Sequence, residues 1–248
     1  MKYIVMIILL FMQLTADDKQ QKITIGLGPY MQTQPYENLK DIFVPSPVFF
    51  FDNSLFYARW TRFGMYFLGN KAEEFSWGFS LTVQPRTFGY KAKDSKSLIG
   101  MDDRKTSLEG GIAFSAAYDD ANIETLLLTD VIDRYATWVL STNIGYKYVI
   151  AKTSFYPSVG VTYQSSNFMN YYYGVKKNEV SVNRPLYTPS AGLQFTVQTY
   201  VNYELTNSLD ILLNARADFI PPSAQNSPLV NENIIYSGLV SLLYTFKY

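Results

Sequence analysis

The chain has 248 residues, and its 21 Lys plus Arg balance 21 Asp plus Glu, so no basic excess marks a nucleic-acid partner. It contains no Cys and therefore no disulfide, and it contains no His, which removes the usual general base at neutral pH. Together those absences take away the ordinary zinc and copper ligands, and they predict a protein without metal, cofactor or catalytic residues. The acidic pairs Glu73-Glu74, Asp102-Asp103 and Asp119-Asp120 read as solvated turn charge, and neither a Gly-rich phosphate loop nor a G-x-S-x-G elbow is present.

At the start, Lys2 precedes an apolar run from Tyr3 to Met12, followed by Gln13-Leu14-Thr15-Ala16 and a polar stretch. This is the pattern of a secretory signal, because the run is shorter than the ~20 residues of a membrane-spanning helix. The expected organisation is a signal peptide over 1–16, cleaved after Ala16, and one domain over 17–248. No later apolar stretch is long enough to cross a bilayer as a helix, yet aromatic residues make up 17% of the chain. In a membrane such a chain must form a closed sheet, which alone among non-helical structures satisfies every backbone group in lipid.

Period-two alternation supplies the strands. Trp77, Phe79, Leu81 and Val83 alternate with Gly78, Ser80, Thr82 and Gln84, and Trp138, Leu140, Ile144, Tyr146 and Tyr148 share one face opposite Thr137, Ser141 and Asn143. The clearest case runs from Leu193 through Phe195, Val197, Val201 and Tyr203, against Gln194, Thr196, Gln198 and Asn202; after Thr206-Asn207-Ser208 it resumes with Leu209, Ile211 and Leu213. Strands are predicted at 22–31, 43–51, 55–68, 76–86, 107–118, 122–131, 134–149, 153–165, 190–205, 208–219 and 234–248. That odd number cannot return both termini to one side, so a strand is merged, most simply within 55–75.

The expected fold is therefore all-β: a closed antiparallel transmembrane β-barrel of about 12 strands, with 10 or 14 left open. Short links near Asp119, Ala151 and Thr206 predict periplasmic turns, and the stretches 87–106, 165–187 and 220–233 predict extracellular loops. The chain closes on Phe246 and Tyr248, the terminal aromatic pattern expected of a strand read by the barrel-assembly machinery. Such a barrel is destined for the outer membrane of a Gram-negative cell, among its lipid and lipopolysaccharide.

Charges on the strands predict the interior. Arg59, Arg62, Arg86, Glu109, Lys147, Glu204, Arg216 and Asp218 should point into the lumen, because Arg or Lys facing lipid at the midplane costs ~2–4 kcal/mol. They either line a pore or pair and fill it. At about 12 strands the two outcomes are evenly balanced, between barrels of ~8 strands that fill themselves and barrels of ~16 that conduct.

The segment Asn167-Phe168-Met169-Asn170-Tyr171-Tyr172-Tyr173-Gly174-Val175, followed by Arg184-Pro185-Leu186-Tyr187-Thr188-Pro189, resembles the signature loop of the MipA/OmpV family. Ser227-Pro228-Leu229-Val230 and Gly26-Leu27-Gly28 with Tyr30 are similar to two further family segments. Asn183 and Ser190 stand where the family pattern has glycine. The resemblance implies an outer-membrane barrel without transferable catalytic residues. It further implies a scaffold that links a murein transglycosylase with a murein synthase; a small-solute channel and a surface adhesin are the alternatives. In the motif loop, Tyr171, Tyr172 and Tyr173 should form an interfacial girdle or a packed lid in preference to stacking on a sugar or a partner's surface, and Pro185 and Pro189 should stiffen the return. Arg184 should anchor the loop through a carboxylate such as that of Glu179.

Overall fold

A computed structural model describes residues 22–72, 74–87 and 89–247. The expected signal peptide, Glu73 and Tyr248 lie outside the described residues.

The strands are β1 (Lys22–Gln32), β2 (Ile42–Asp52), β3 (Phe56–Arg59), β4 (Arg62–Lys71), β5 (Phe75–Arg86), β6 (Ser107–Tyr118) and β7 (Ala121–Asp130). They continue as β8 (Trp138–Tyr146), β9 (Tyr148–Ile150), β10 (Thr153–Gln164), β11 (Gly192–Glu204), β12 (Leu209–Phe219) and β13 (Ile234–Lys247). Each pairs antiparallel with its neighbours, β13 returns to β1, and β10 pairs with β11, so the sheet closes. Segments β8 and β9 both pair with β10 on either side of Lys147 and act as one stave, which makes a 12-stranded barrel of the 13 segments. No helix among the described residues is long and apolar enough to cross a membrane.

Within the predicted strand 55–68 the structure places two, β3 and β4, joined at Trp60-Thr61 with Arg59 opposite Arg62. Trp60 takes a left-handed φ of 59° where a glycine or asparagine would announce the turn. The β8 stave begins at Trp138 and β11 at Gly192, a few residues later than their alternation suggested.

The outer face is the apolar one. Leu27, Leu81, Ile112, Ile144, Val159, Val197 and Val240 are exposed, while Thr82, Thr162, Thr196 and Ser241 on the opposite face are buried. A soluble protein would bury that belt, whereas lipid rewards it. Both described ends, Lys22 and Lys247, lie side by side at the end of the barrel that carries the short turns, including those at Asp119 and Ala151 with left-handed φ.

At the other end the long loops carry secondary structure of their own. Helix α1 (Ser166–Tyr173) follows β10, and the short α2 (Pro222–Gln225) follows β12. One-turn 3-10 helices lie at Ala92–Asp94, Lys96–Leu98 and Lys177–Glu179. Phe168, Met169, Tyr172 and Tyr173 of α1 are fully buried and pack with Tyr36, Leu98, Leu128, Val139, Ile220 and Leu229. The loops thus form an apolar core of their own, roofing the barrel.

Candidate functional site: the lumen and its cap

The lumen is arranged in three levels. On the side of the short turns lies a vestibule of about 830 Å³, lined among others by Asp52, Arg59, Arg62, Tyr66 and Glu124. A chamber of about 220 Å³ sits deeper, between Tyr30, Trp60, Arg86, Gln164, Tyr200, Arg216 and Phe168 of the cap. Above the chamber stands the packed core of the loops.

Strand charges pair with one another on the lumen side. Arg62 Nη2 donates to both oxygens of Glu124 at 2.8 and 2.6 Å, and Arg59 Nη1 donates to the same carboxylate at 2.8 Å. These bonds join β3 and β4 to β7, four and three strands away around the wall. Arg59 Nη2 also donates to Tyr66 Oη at 2.7 Å, and its guanidinium lies 4.6 Å from the ring centroid of Tyr57.

A second group ties β5 to β6. Glu109 is fully buried and accepts from Arg86 Nε and Nη2, from Gln84 Nε2 and from the Tyr135 hydroxyl. The guanidinium of Arg86 stands 5.1 Å from the ring centroid of Phe168, so this pair also supports α1. A third group runs along β10, β11 and β12: Gln164 Nε2 donates to Gln194 Oε1, and Gln194 Nε2 donates to Asp218 Oδ1. Asp218 in turn accepts from Arg216 Nε and Nη2 at 2.8 Å each and from Thr196 Oγ1 at 2.6 Å.

Of the eight strand charges singled out in the sequence, Arg59, Arg62, Arg86, Arg216 and Asp218 line the cavities. Glu109 lies behind the wall of the chamber under Arg86. Lys147 interrupts the β8 stave and stands 6.0 Å from the ring of the cavity-lining Tyr156. Glu204 is exposed at the short-turn end, opposite the cavity-lining Asp210. The sequence did not single out Glu124, the carboxylate that gathers two of the arginines. Its signal is masked because Leu126 and Leu128 share its face of β7 and are buried beneath the cap.

The motif loop is the roof. Tyr172 and Tyr173 are buried in it, and the Tyr171 hydroxyl accepts from the Lys105 backbone N–H at 2.9 Å. Gly174 caps α1 by donating its N–H to Asn170 O at 3.1 Å, and a Cβ there would collide with that same carbonyl. Tyr187 pairs with Val175 in an isolated bridge, and its hydroxyl donates to Ser223 O at 2.7 Å. Pro185 follows Arg184 in the return segment.

Arg184 anchors the loop, though through backbone carbonyls and not through a carboxylate. Its guanidinium donates to Glu179 O at 3.0 and 2.8 Å, to Ser97 O at 2.7 Å and to Ile99 O at 3.1 Å. The Glu179 carboxylate is already taken by Arg104, whose Nη2 reaches both of its oxygens. Burial holds the hydroxyls of Tyr36, Tyr90, Tyr172 and Tyr173 above the ordinary tyrosine pKa, with neighbouring tyrosines or carboxylates adding to the shift. Hydrogen bonding from Lys176 holds Asp102 below the ordinary carboxylate value.

A family model described as "MltA-interacting protein MipA" matches residues 25–246. The chain is 26% identical to the MltA-interacting protein of Escherichia coli K12 over 92% of its own length and 90% of that protein's. It is 24% identical to outer membrane protein OmpV of Vibrio cholerae over 66% of its own length and 63% of that protein's. Among solved structures, an outer membrane channel from Pseudomonas putida F1 matches with a TM-score of 0.48 at 9% identity, covering 92% of this chain and 96% of that one. With the family model spanning nearly every strand, and with an apolar belt around a polar, charge-paired interior, the chain belongs to the MipA family and is an outer-membrane β-barrel.

Proposed function

We propose that this protein is a non-enzymatic interaction protein of the outer membrane that holds murein-remodelling enzymes, a transglycosylase and a synthase, at the periplasmic rim of the barrel. The observation that carries the reading is the packed roof over the lumen: Phe168, Tyr172 and Tyr173 are buried where a channel would need an opening. The pairing of Arg59 and Arg62 with Glu124 and of Arg86 with Glu109 supports it, because the strand charges spend their bonding capacity on one another. Likeness to the MltA-interacting protein over most of both chains adds the class of partner. Docking falls to the short turns and to the residues around Lys22 and Lys247, with insertion by the barrel-assembly machinery. Crosslinked envelopes from cells carrying a tagged copy should yield a murein transglycosylase and a murein synthase on pull-down. Recovery of neither would remove the reading.

The vestibule of about 830 Å³ favours a second reading, a small-solute channel whose cap swings aside. Planar-bilayer recordings separate the two: single-channel steps from pure protein support the channel, and silence supports the scaffold.

A further inference from the structure

The barrel wall has a notch. Strand β2 pairs with β1 along Ile42–Phe51 but with β3 only over Phe50–Asp52, and a backbone bond from Trp60 N to Phe49 O is the last contact at the hairpin tip. On the far side, β4 pairs with β5 no further than Val83, while β5 continues to Arg86. Past the tip, among the described residues, the stretch 42–48 of β2 and 84–86 of β5 therefore have no strand partner on the sides that face each other. At the tip the two lips are separated by three strand spacings, roughly 14 Å at ~4.8 Å each.

The lips are built to stay unpaired. Pro45 and Pro47 lie on one and Pro85 on the other, and proline removes the N–H that a pairing strand would need. The consecutive residues Phe43 and Val44 are 75% and 43% exposed, so both faces of the β2 lip are open. The notch faces the long-loop half of the membrane, the outer leaflet.

A groove of about 860 Å³ adjoins it at the rim, and Ile42, the first residue of the lip, lines that groove. Lys40, Lys91, Lys93, Lys105 and Arg134 line it as well, against Asp94 and Asp103. Asp103 is occupied by the Ala92 N–H at 2.7 Å, and Arg104, at the base, is committed to Glu179. The lysines are exposed and no salt bridge joins them to these acids among the described residues. A cationic rim above an apolar notch matches a ligand with phosphates at the membrane surface and acyl chains below.

We propose that groove and notch form one site for a phosphorylated glycolipid of the outer leaflet, with its phosphates on the lysines and an acyl chain against Phe43, Pro45 and Pro47. The site lies on the opposite rim from the proposed enzyme docking and does not depend on it. Native mass spectrometry of protein extracted in mild detergent should show retained lipopolysaccharide, reduced at least tenfold in the K40E/K93E/K105E variant, whose heat-modifiable mobility confirms folding. A benzophenone at position 43 should crosslink lipopolysaccharide in intact envelopes in several-fold higher yield than one at position 197, which is exposed in the same apolar belt on β11, where it pairs with a strand on each side. Equal retention by the triple variant overturns the proposal, as do equal crosslinking at the two positions, a crosslink at 43 to a second copy of the chain in place of the lipid, or displacement of the lipid by equimolar phosphatidylglycerol vesicles or inorganic phosphate.

Discussion

Arg104 and Glu179 meet inside the cap, where Arg104 Nη2 lies 2.8 and 2.9 Å from the two carboxylate oxygens and the side chains are 1% and 0% exposed. The pair joins the loop after β5 to the loop after β10, so it links two segments that share no strand. Removing one partner leaves a buried charge uncompensated, at a cost of about 3–5 kcal/mol, while an apolar pair of similar volume can be neutral. Glu179→Ala should therefore open the cap to protease at the loops 87–106 and 165–187, and an Arg104→Met, Glu179→Gln double variant, which removes both charges while keeping an acceptor for the N–H groups of Asp102 and Lys176, should restore part of the protection. Limited proteolysis of the folded barrel in detergent checks both. Protection unchanged in the single variant would show that the cap does not depend on the pair.

Arg184 acts by geometry. It bonds three carbonyls with one guanidinium fork, so a lysine, with a single ammonium at the end of its stem, cannot reach all of them. Both Arg184→Lys and Arg184→Ala should loosen the cap, by about 1–3 kcal/mol at a position where carbonyls are left without their donor. An Arg184→Lys protein as protease-resistant as the wild type would overturn this.

Inside the vestibule, Glu124 gathers Arg59 and Arg62. Glu124→Ala should destabilise the barrel by about 1–3 kcal/mol, since Arg62 is mostly shielded while Arg59 keeps partial access to water and is discounted accordingly. The midpoint of heat modification on gel electrophoresis reads the effect. An unshifted midpoint would mean that vestibule water replaces the carboxylate fully.

These three positions show what the sequence carried and what it did not. Alternation revealed the staves because lipid on one side and a polar interior on the other impose period two, and Arg62 and Arg86 were placed inward by the same argument. Alternation did not divide β3 from β4, because their turn, Trp60-Thr61, lacks glycine, asparagine or proline, yet the odd strand count already places a merged strand within 55–75. Glu124 escaped because the cap makes the inner face of β7 apolar at Leu126 and Leu128, which erases the contrast between faces. Arg184 was recognised as an anchor, but its target was assigned by closeness along the chain. The residue that claims the Glu179 carboxylate lies 75 positions away, and such a pairing leaves no local trace.

The cap should be sensitive to alkali and not to mild acid. Tyr36, Tyr90, Tyr172 and Tyr173 have folded-state pKa values raised from the ordinary 10.0, chiefly because burial disfavours the phenolate. For a raised acid the folded state binds its proton more tightly than the unfolded state. The stabilisation is thus fully present below pH 10 and is lost as pH rises from there through the folded values. Protease protection of the cap should hold from neutral pH to about 10 and then fall steeply, with the belt strands still resistant. A spectrophotometric titration at the tyrosinate band should show a group of tyrosines ionising above the rest, together with loss of protection. Replacing Tyr173 with Phe should remove one of these late protons and leave the cap more tolerant of alkali. Late-ionising tyrosines that titrate smoothly while the cap stays protected would separate their ionisation from the packing of the roof and overturn the coupling.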